Sequence, residues 1–495
     1  MPPVGAMSAR GPYGPRMNPS LAVGALTVAL ALVCRLTSPM LADVSYVLLA
    51  ILALLGRRHA VVALGLAWLF TMINPALAPD GTAAALGRFL VIGAAAVSVL
   101  LRSGVLLSGR VRLFSAITLV FAGSIVAHAL LVSPFPDVSV LKAVSWLVAF
   151  VTLYAAWRGL ARVEREGLAN TLFWGLVGVG ALSVPFILSP LGYVRNEVGF
   201  QGILNHPQAF GTAMALLGGW AVGRFLSRTT PSSLDAGVAL LALFMILLSE
   251  ARTGGFAFLL GVMTAVLLLR LSRRERLTLL LPALASRRVL VLGIFAGVFL
   301  ILAAPTVKTL TDDFVAKSGR ADVESAFEAF ERSRGVLYRP MLENIQENPL
   351  RGIGWGIASQ PTQMNVRRDA FTGLPVGAAV EKGVLPLAVL EEVGIVGFTA
   401  FLLWLGIAIK LAVAGGILPL SVLMTVVFVN MGESVLFSPG GMGMLHLILF
   451  TWAISIGSAP APASRHADRW PANDANAYAP PRAEQIHPLS QPAHG

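Results

Sequence analysis

The sequence predicts an all-α polytopic integral membrane protein with about 12–14 transmembrane helices and one long, partly helical extracytoplasmic loop. Of the 495 residues, 56% are hydrophobic and only 13% are charged, whereas soluble domains carry roughly 25% charged residues. Apolar runs of about 15–23 residues recur along most of the chain, and a run of about 18 predicts a membrane span. Hydrocarbon offers backbone groups no partners, so the spans are expected to be helices.

Fourteen apolar runs are the predicted spans, and the second and ninth are short. The first is interpreted as a retained span because no small-residue cleavage site follows it. The single cysteine, Cys34, lies inside that run, which excludes a disulfide framework within the chain. The runs cover about residues 20–38, 41–56, 60–77, 85–101, 113–133, 140–157, 169–188, 207–224, 234–249, 253–270, 288–305, 384–409, 416–434 and 440–457.

The distribution of Lys and Arg predicts how the spans are oriented. With the N-terminus in the cytoplasm, the short cytoplasmic segments hold nineteen cations: Arg10, Arg16, Arg57, Arg58, Arg102, Arg110, Arg112, Arg158, Arg162, Arg165, Arg224, Arg228, Arg270, Arg273, Arg274, Arg276, Arg287, Arg288 and Lys410. The short outer segments hold five: Arg35, Arg88, Lys142, Arg195 and Arg252. The net charge of +12 is therefore interpreted as anchoring of cytoplasmic loops, and no nucleic acid is expected as a partner.

The chain divides into five predicted segments: a cytoplasmic tail (1–19), helices 1–11 (20–305), a long periplasmic loop (306–383), helices 12–14 (384–457) and a disordered cytoplasmic tail (458–495). Within the loop, the spacing of apolar residues predicts a helix over residues 321–338. Pro340 is expected to limit that helix, and residues 341–348 are expected to add another turn or two.

Nearly every unusual polar cluster falls on the predicted outer side of the membrane. These clusters lie in the long loop and in residues 192–211, 249–255, 380–383, 391–397 and 430–441. Their shared side predicts one extracytoplasmic site at the membrane surface.

Four motifs follow one another across residues 190–400. They are GFQGILNHPQAFG (199–211), LLSEARTGGFAFLLG (247–261), SRGVLYRPMLENIQENPLRGIGWG (333–356) and LEEVGIVGF (390–398). In order, spacing and side, they resemble the superfamily of O-antigen ligases and Wzy-type polymerases. Its members show an Asn-Pro type motif, a Ser-Arg motif, a Pro-Leu-x-Gly-x-Gly signature and a helix beginning near Glu-x-Gly-x-x-Gly. The first 190 residues support only the topology.

The resemblance implies a membrane glycosyltransferase that uses a glycan carried on undecaprenyl diphosphate, without metal or other cofactor. Polymerases of the superfamily extend a polysaccharide one repeat unit at a time, and ligases move the finished glycan to lipid A core. The ligases carry a His in or just after the long loop, but residues 306–383 contain none, and VEKG (380–383) stands there instead. The sequence therefore favours a polymerase of O-antigen, capsule or exopolysaccharide.

The resemblance also implies a location and partners. The expected location is the bacterial inner membrane, with an active site that faces the periplasm. The expected partners are an undecaprenyl-diphosphate-linked oligosaccharide, membrane lipids and a chain-length regulator protein.

The implied reaction displaces a lipid diphosphate by a sugar hydroxyl, which indicates the side chains it needs. Guanidinium groups bind phosphate oxygens bidentately and stabilise the charge that develops on the leaving group. Arg252 is the first candidate, the alternative being an interface arginine paired with Glu250. Arg334, in the part of the loop that matches the superfamily, is the second candidate, the alternative being a solvated helix face.

A hydroxyl nucleophile needs a carboxylate or an imidazole as its base. Glu381 is the leading candidate because it stands where the ligases have their His. Glu391 and Glu392 lie further inside a predicted span, where carboxylates are costly and usually face a polar cavity. At least one of them is expected to do so, with Arg252 as a candidate partner.

Five further residues are candidates for binding diphosphate or glycan. Arg195, Arg339 and Arg88 carry positive charge on the outer side, with loop, helix-surface or headgroup contacts as the alternatives. His206 is also expected to cap the helix that follows it. Trp355, inside GIGWG, is expected to stack on sugar or lie at the interface; without a preceding strand or a following Lys-Ser/Thr, this glycine run does not predict a nucleotide site.

Two other functions remain open at this stage. One is an O-antigen ligase that transfers glycan to lipid A core. The other is a flippase or transporter of lipid-linked sugars, for which repeated halves with midplane charges would be expected. The single large outer loop and the outward clustering of charge favour the polymerase.

Overall fold

A computed structural model describes residues 19–79, 81, 84–102, 111–195, 199–287, 289–291, 293, 335–368, 373, 375–378, 380 and 382–458. Both predicted tails lie outside these residues, apart from Pro19 and Ser458. The first part of the long loop, with most of its predicted helix over 321–338, also lies outside them.

The described residues form fifteen α-helices and one small β-hairpin. The helices are α1 Pro19–Thr37, α2 Pro39–Leu54, α3 Arg57–Met72, α4 Ala84–Leu100, α5 Val111–Leu131, α6 Pro136–Gly159, α7 Arg162–Ser183, α8 Pro207–Leu226, α9 Ser233–Ser249, α10 Arg252–Arg273, α11 Leu277–Leu280, α12 Val336–Glu347, α13 Leu385–Gly415, α14 Ile417–Val429 and α15 Gly443–Gly457. The strands β1 Val366–Arg368 and β2 Pro375–Ala378 pair antiparallel.

Within the described residues, six helices are long and apolar enough to cross a membrane: α5, α6, α7, α8, α10 and α13. Six shorter helices are also apolar: α1, α2, α4, α9, α14 and α15. The chain is thus an all-α, multi-pass membrane protein, as the composition predicts. Helices coincide with thirteen of the fourteen predicted spans, and span 288–305 lies almost wholly outside the described residues.

One end of the helix bundle, here called the loop end, carries the α3–α4, α5–α6, α7–α8, α9–α10, α12–α13 and α14–α15 connections. Backbone hydrogen bonds join these connections to one another. Asn205 N–H donates to the Met72 carbonyl over 2.7 Å, and Leu385 N–H donates to the Asn430 carbonyl over 2.9 Å. The polar motifs found in the sequence are therefore gathered at one end.

The opposite end, here called the arginine end, is tied together by side chains. The Arg57 guanidinium donates to the carbonyls of Gly159 (3.1 Å) and Arg102 (2.7 Å). Arg158 donates to the carbonyl of Ser458 over 2.9 Å. These arginines belong to the segments that the charge pattern assigns to the cytoplasm, although the compartment that each end faces stays a prediction.

An aromatic cluster forms the core between α6, α13 and α15. Trp404 of α13 stacks on Phe450 of α15 with ring centroids 5.2 Å apart and planes 7° apart. Trp146 of α6 meets Phe437 edge to face at 4.9 Å. Because Phe437 belongs to the α14–α15 connection, this core fixes the position of the loop end.

Helices α8, α10 and α14 approach closely through small residues. A Cβ atom built on Gly219 of α8 or on Gly261 of α10 would collide with Thr425 of α14. Small residues permit such contact between membrane helices, where dispersion and hydrogen bonds drive association. The contact places the first residues of α8 and α10, which carry two of the four motifs, next to one another.

Helix α13 is broken near its first third. Gly394 has φ 64° and ψ −174°, a conformation that is essentially restricted to glycine. A Cβ atom there would also overlap the carbonyl of Leu350. The break leaves backbone groups without helical partners, and at membrane depth such groups must be satisfied within the protein.

Residues 349–356 of the long loop, here called the glycine segment, supply those partners. The segment lies along the break and pairs with it mainly through main-chain atoms. Three hydrogen bonds join the two: Ile353 N–H to the Glu391 carbonyl (2.9 Å), Gly354 N–H to the Glu392 carbonyl (3.0 Å), and Ile395 N–H to the Pro349 carbonyl (2.9 Å). The Pro-Leu-x-Gly-x-Gly and Glu-x-Gly-x-x-Gly motifs are therefore two halves of one backbone interaction.

The long loop differs from its prediction in two respects. The expected limit at Pro340 is wrong, because α12 runs through Pro340, its fifth residue. The proline there removes one hydrogen bond and crowds one carbonyl at the start of the helix, where few bonds are lost. The β-hairpin was not predicted; Arg368 of β1 pairs with Asp137 of α6 at 2.6 Å and fastens the hairpin to the bundle.

Substitution of Gly394 by Ala is expected to destabilise the protein by about 1–3 kcal/mol, because the backbone conformation excludes a side chain. Gly406→Ala is the matched control, since it lies in the same helix and nothing within 4 Å would meet its Cβ atom. Thermal unfolding in detergent should show a lower midpoint for Gly394→Ala alone. Equal midpoints for the two variants would contradict the proposed role of the break.

Candidate functional site

The Glu391 side chain is buried, and three groups bind its carboxylate. Lys382 Nζ lies 2.7 Å from Oε2. The Asn344 side-chain amide donates to Oε1 over 2.7 Å, and the Ser359 hydroxyl donates to Oε2 over 3.2 Å. Burial of a charge is tolerated only when it is paired and hydrogen-bonded, and both oxygens of this carboxylate meet that condition.

The Glu392 carboxylate is held in the same way. Lys382 Nζ lies 3.0 Å from Oε1, and Gly356 N–H donates to Oε2 over 2.8 Å. Lys382 itself is 3% exposed. The cation that pairs with the two glutamates is therefore Lys382, which corrects the expectation of Arg252. All four carboxylate oxygens are engaged, so the arrangement suits a fastening of the loop better than a catalytic base.

A second lysine, Lys142 of α6, completes the group. Its ammonium donates to the carbonyl of Gly356. It also lies close enough to Glu392 and Lys382 to interact with both electrostatically. Lys142, Lys382, Glu391 and Glu392, here called the charge quartet, thus balance two positive charges against two negative ones beneath the glycine segment.

Lys142 also faces a cavity of about 470 Å³ at the loop end, here called the cation cavity. Its walls come from α4, α6, the first turn of α8, β2 and the α14–α15 connection. Arg88, Lys142 and His206 line it together with Asn205 and Gln208, and none of the described residues that line it is Asp or Glu. Cationic side chains in a lining without carboxylates favour an anionic ligand.

His206 is the N-cap of α8, as the sequence predicts. Its Nδ1 accepts a hydrogen bond from Gln208 N–H over 3.1 Å, and Pro207 takes the first helical position. With Nδ1 as acceptor, the neutral ring carries its proton on Nε2. The positive end of the α8 dipole adds to the positive potential of the cavity wall at this point.

Arg88 lies in the wall of the cavity that faces the α14–α15 connection. A Cβ atom on Gly440 would stand 3.0 Å from its guanidinium carbon, so the arginine packs closely on this glycine. That carbon lies 5.4 Å from the ring centroid of Phe89. Arg88 Nε is buried without a hydrogen-bond partner among the described residues. Buried polar groups are normally hydrogen-bonded, so a bound ligand would supply the missing acceptor.

Arg252 lies beside the start of α8. Helix α9 ends at Glu250 in the left-handed conformation (φ 52°), and α10 begins at the half-buried Arg252. A Cβ atom on Gly211 would overlap Ser249 and Ala251, so the turn packs directly on α8. The structure thus brings Arg252 to the same end as the cation cavity, although it does not line the cavity.

Three predicted residues lie apart from the cavity. The Arg195 side chain is exposed. Arg339 is also exposed and pairs with Glu343 at 3.2 Å on the surface of α12, an arrangement that contributes little to stability. Trp355 is only 2% exposed, and its ring packs edge to face on Phe437 at 5.0 Å, so it belongs to the aromatic core and offers no open face to a sugar.

Glu381 and Arg334, two leading candidates from the sequence, lie outside the described residues. Their neighbours Lys382 and Gly335 belong to the loop end. Across the described part of the chain, no group of three or more His, Cys, Asp and Glu side chains is placed to hold a metal ion. The expected independence from metal stays a prediction.

Residues 237–402 match a family model described as O-antigen ligase. The superfamily resemblance is confirmed. The matched segment contains most of α9, all of α10, the glycine segment and the part of α13 that carries Glu391 and Glu392, but not Arg88, Lys142 or His206. No curated protein matches the chain.

Sequence reasoning underestimated both lysines of the charge quartet. Lys142 was visible only as an isolated cation at the outer end of a span, and Lys382 as the neighbour of Glu381. The available signal was a lysine that immediately precedes an apolar span with two carboxylates inside it. Buried carboxylates require a partner, and Lys382 is the cation nearest to them in the chain.

Replacement of Lys382 by Met is expected to cost about 3–5 kcal/mol of stability, because it leaves two buried carboxylates unpaired. Thermal unfolding in detergent measures the loss, with Lys410→Met, an exposed lysine of the same helix, as the control. Adding Glu391→Gln to Lys382→Met should recover part of the loss. Full stability of the Lys382→Met protein would refute the buried ion pairs.

Proposed function

We propose that the chain is a polysaccharide polymerase of the inner membrane. It transfers a glycan from undecaprenyl diphosphate to a sugar hydroxyl of another lipid-linked repeat unit. The observation that carries this proposal is the cation cavity, where Arg88, Lys142 and His206 lie together beside the glycine segment. The match to the O-antigen ligase family supports glycan transfer in general terms.

The chemistry accounts for the need for cations. The acceptor hydroxyl oxygen attacks the anomeric carbon, and the bond from that carbon to the diphosphate oxygen breaks. The leaving diphosphate takes the electron pair, so its negative charge increases in the transition state. Lys142 and Arg88 stabilise that charge in a site that is already arranged for it, and His206 Nε2–H donates a hydrogen bond.

The hydroxyl proton requires a base, and the charge quartet narrows the choice. Glu391 and Glu392 are buried and bind Lys382, so the proposed base is Glu381, the residue that precedes Lys382 in the chain. Arg252 and Arg334 remain the proposed further ligands of the diphosphate.

A ligase that transfers glycan to lipid A core is the second candidate, since the matched family carries that description. The absence of His from residues 306–383 favours the polymerase. For either activity, the bias of Lys and Arg supports a loop end that faces the periplasm.

Replacement of Lys142 by Met is expected to lower the transfer rate roughly 10- to 100-fold, since a hydrogen bond to a charged group contributes about 1.5–3 kcal/mol. Arg88→Met should have an effect of similar size. The measurement is glycan chain length and the rate of elongation by purified protein with lipid-linked repeat units. Lys410→Met is the control, and unfolding midpoints establish that each variant is folded. Normal elongation by both folded cavity variants would exclude the cation cavity as the site.

The acceptor separates the two candidates. Purified wild-type protein given only undecaprenyl-diphosphate-linked repeat units should produce glycans of two or more units. A ligase would leave these units unchanged until lipid A core is added, and would then attach them to it. Attachment to lipid A core without any elongation would overturn the polymerase assignment.

A further inference from the structure

A second cavity, which the proposed reaction does not use, lies between α5 and α13. It is an apolar groove of about 790 Å³, here called the lateral groove. Val120 of α5 and Val396 of α13 line it and are 73% and 69% exposed. In a membrane protein, such side chains face hydrocarbon. The groove is therefore open to the bilayer along its side.

The lateral groove follows α13 from Val393 to Ile407. These fourteen helical steps correspond to about 21 Å, which is most of the roughly 30 Å hydrocarbon thickness of a bilayer. Among the described residues, the helices that line the groove are α5 and α13, and small residues such as Gly397 and Ala400 form part of its wall. Its shape suits a single extended hydrocarbon chain.

Apart from Ser124, the polar residues of the lining lie at the loop end. There His128 bonds through Nε2 to the carbonyl of Arg351, and His128 Nδ1 is buried without a partner among the described residues. Arg351 is exposed, so its guanidinium is accessible to a phosphate. A lipid whose chain lies in the groove would place an anionic headgroup beside this arginine.

The lateral groove and the cation cavity adjoin opposite ends of the glycine segment. Arg351 lines the groove, and the carbonyl of Gly356 accepts a hydrogen bond from Lys142, which lines the cavity. Five residues span at most about 18 Å. Two lipid headgroups, one at each site, would therefore lie within reach of one repeat unit's glycan.

We infer that the lateral groove binds the polyprenyl chain of the lipid-linked acceptor, with its diphosphate at Arg351. This inference rests on the proposed function, in which the cation cavity holds the diphosphate of the donor. A polyprenyl diphosphate has one chain, whereas a glycerophospholipid has two and lipid A has more. The single groove with a single cation at its head therefore fits the polyprenyl lipid.

The test is photo-crosslinking of the full-length protein in nanodiscs with an undecaprenyl diphosphate that carries a diazirine in its chain. Peptides from residues 116–128 and 393–407 should be labelled. Ala400→Trp, which fills the groove, should reduce labelling of these peptides at least fivefold. Leu402→Trp, at an exposed position of α13 outside the lining, should leave it unchanged.

A matched pair of arginine variants tests the contact between the headgroup and Arg351. Arg351→Gln should reduce labelling at least threefold, and Arg367→Gln, an exposed arginine of β1, should not. An excess of phosphatidylglycerol should leave the labelling unchanged. Removal of the label by phosphatidylglycerol, or equal labelling of the Ala400→Trp and Leu402→Trp proteins, would overturn the inference.

Labelling reports binding and requires no transfer, so the inference and the proposed function can fail separately. Elongation that depends on Lys142, with no label in the lateral groove, would refute the groove and leave the polymerase intact. Label in the groove of a protein that elongates nothing would refute the polymerase and, with it, the identification of the bound chain as an acceptor.

Discussion

The backbone pairing between the glycine segment and the break in α13 is the interaction on which the loop end depends. A helix that breaks at membrane depth must find partners for its freed carbonyl and amide groups. Here the loop provides them, and in return the break at Gly394 fixes the loop against the bundle. Neither half is stable in this form without the other. The two motifs are therefore best understood as one structural unit, although about forty residues separate them in the chain.

That pairing determines where the charges lie. It brings Gly356 between Glu392 and Lys142, and it places both glutamates beside Lys382 in a buried environment. Both buried carboxylates are held by groups of the loop and of its re-entry into the membrane, so they join the loop to α13. Lys142 differs from the other three members of the charge quartet because it also lines the cation cavity. A ligand bound in the cavity would therefore act on the loop through Lys142.

The helices were predictable because long apolar runs with few charges recur along the chain. The cap at His206 was predictable because a polar residue before a proline is a strong local signal for the start of a helix. The β-hairpin was not predictable, because strands of three and four residues are too short to show an alternation of polar and apolar side chains. The pairing of Lys382 with Glu391 was not predictable either, because it depends on how the chain turns at the start of α13. The cation cavity takes Arg88, Lys142 and His206 from three different helices, and sequence order alone does not bring them together.

The glycine segment has a different environment at each of its two ends. At one end the Gly356 carbonyl binds Lys142, which lines the cation cavity, and at the other end Leu350 and Arg351 line the apolar groove between α5 and α13. If two lipid-linked reactants bind at these two ends, the segment separates their headgroups while the glycans meet above it. The groove between α5 and α13 is too narrow for a lipid with many chains. The space beside Gly397 and Ala400 would therefore select an acceptor with a single chain.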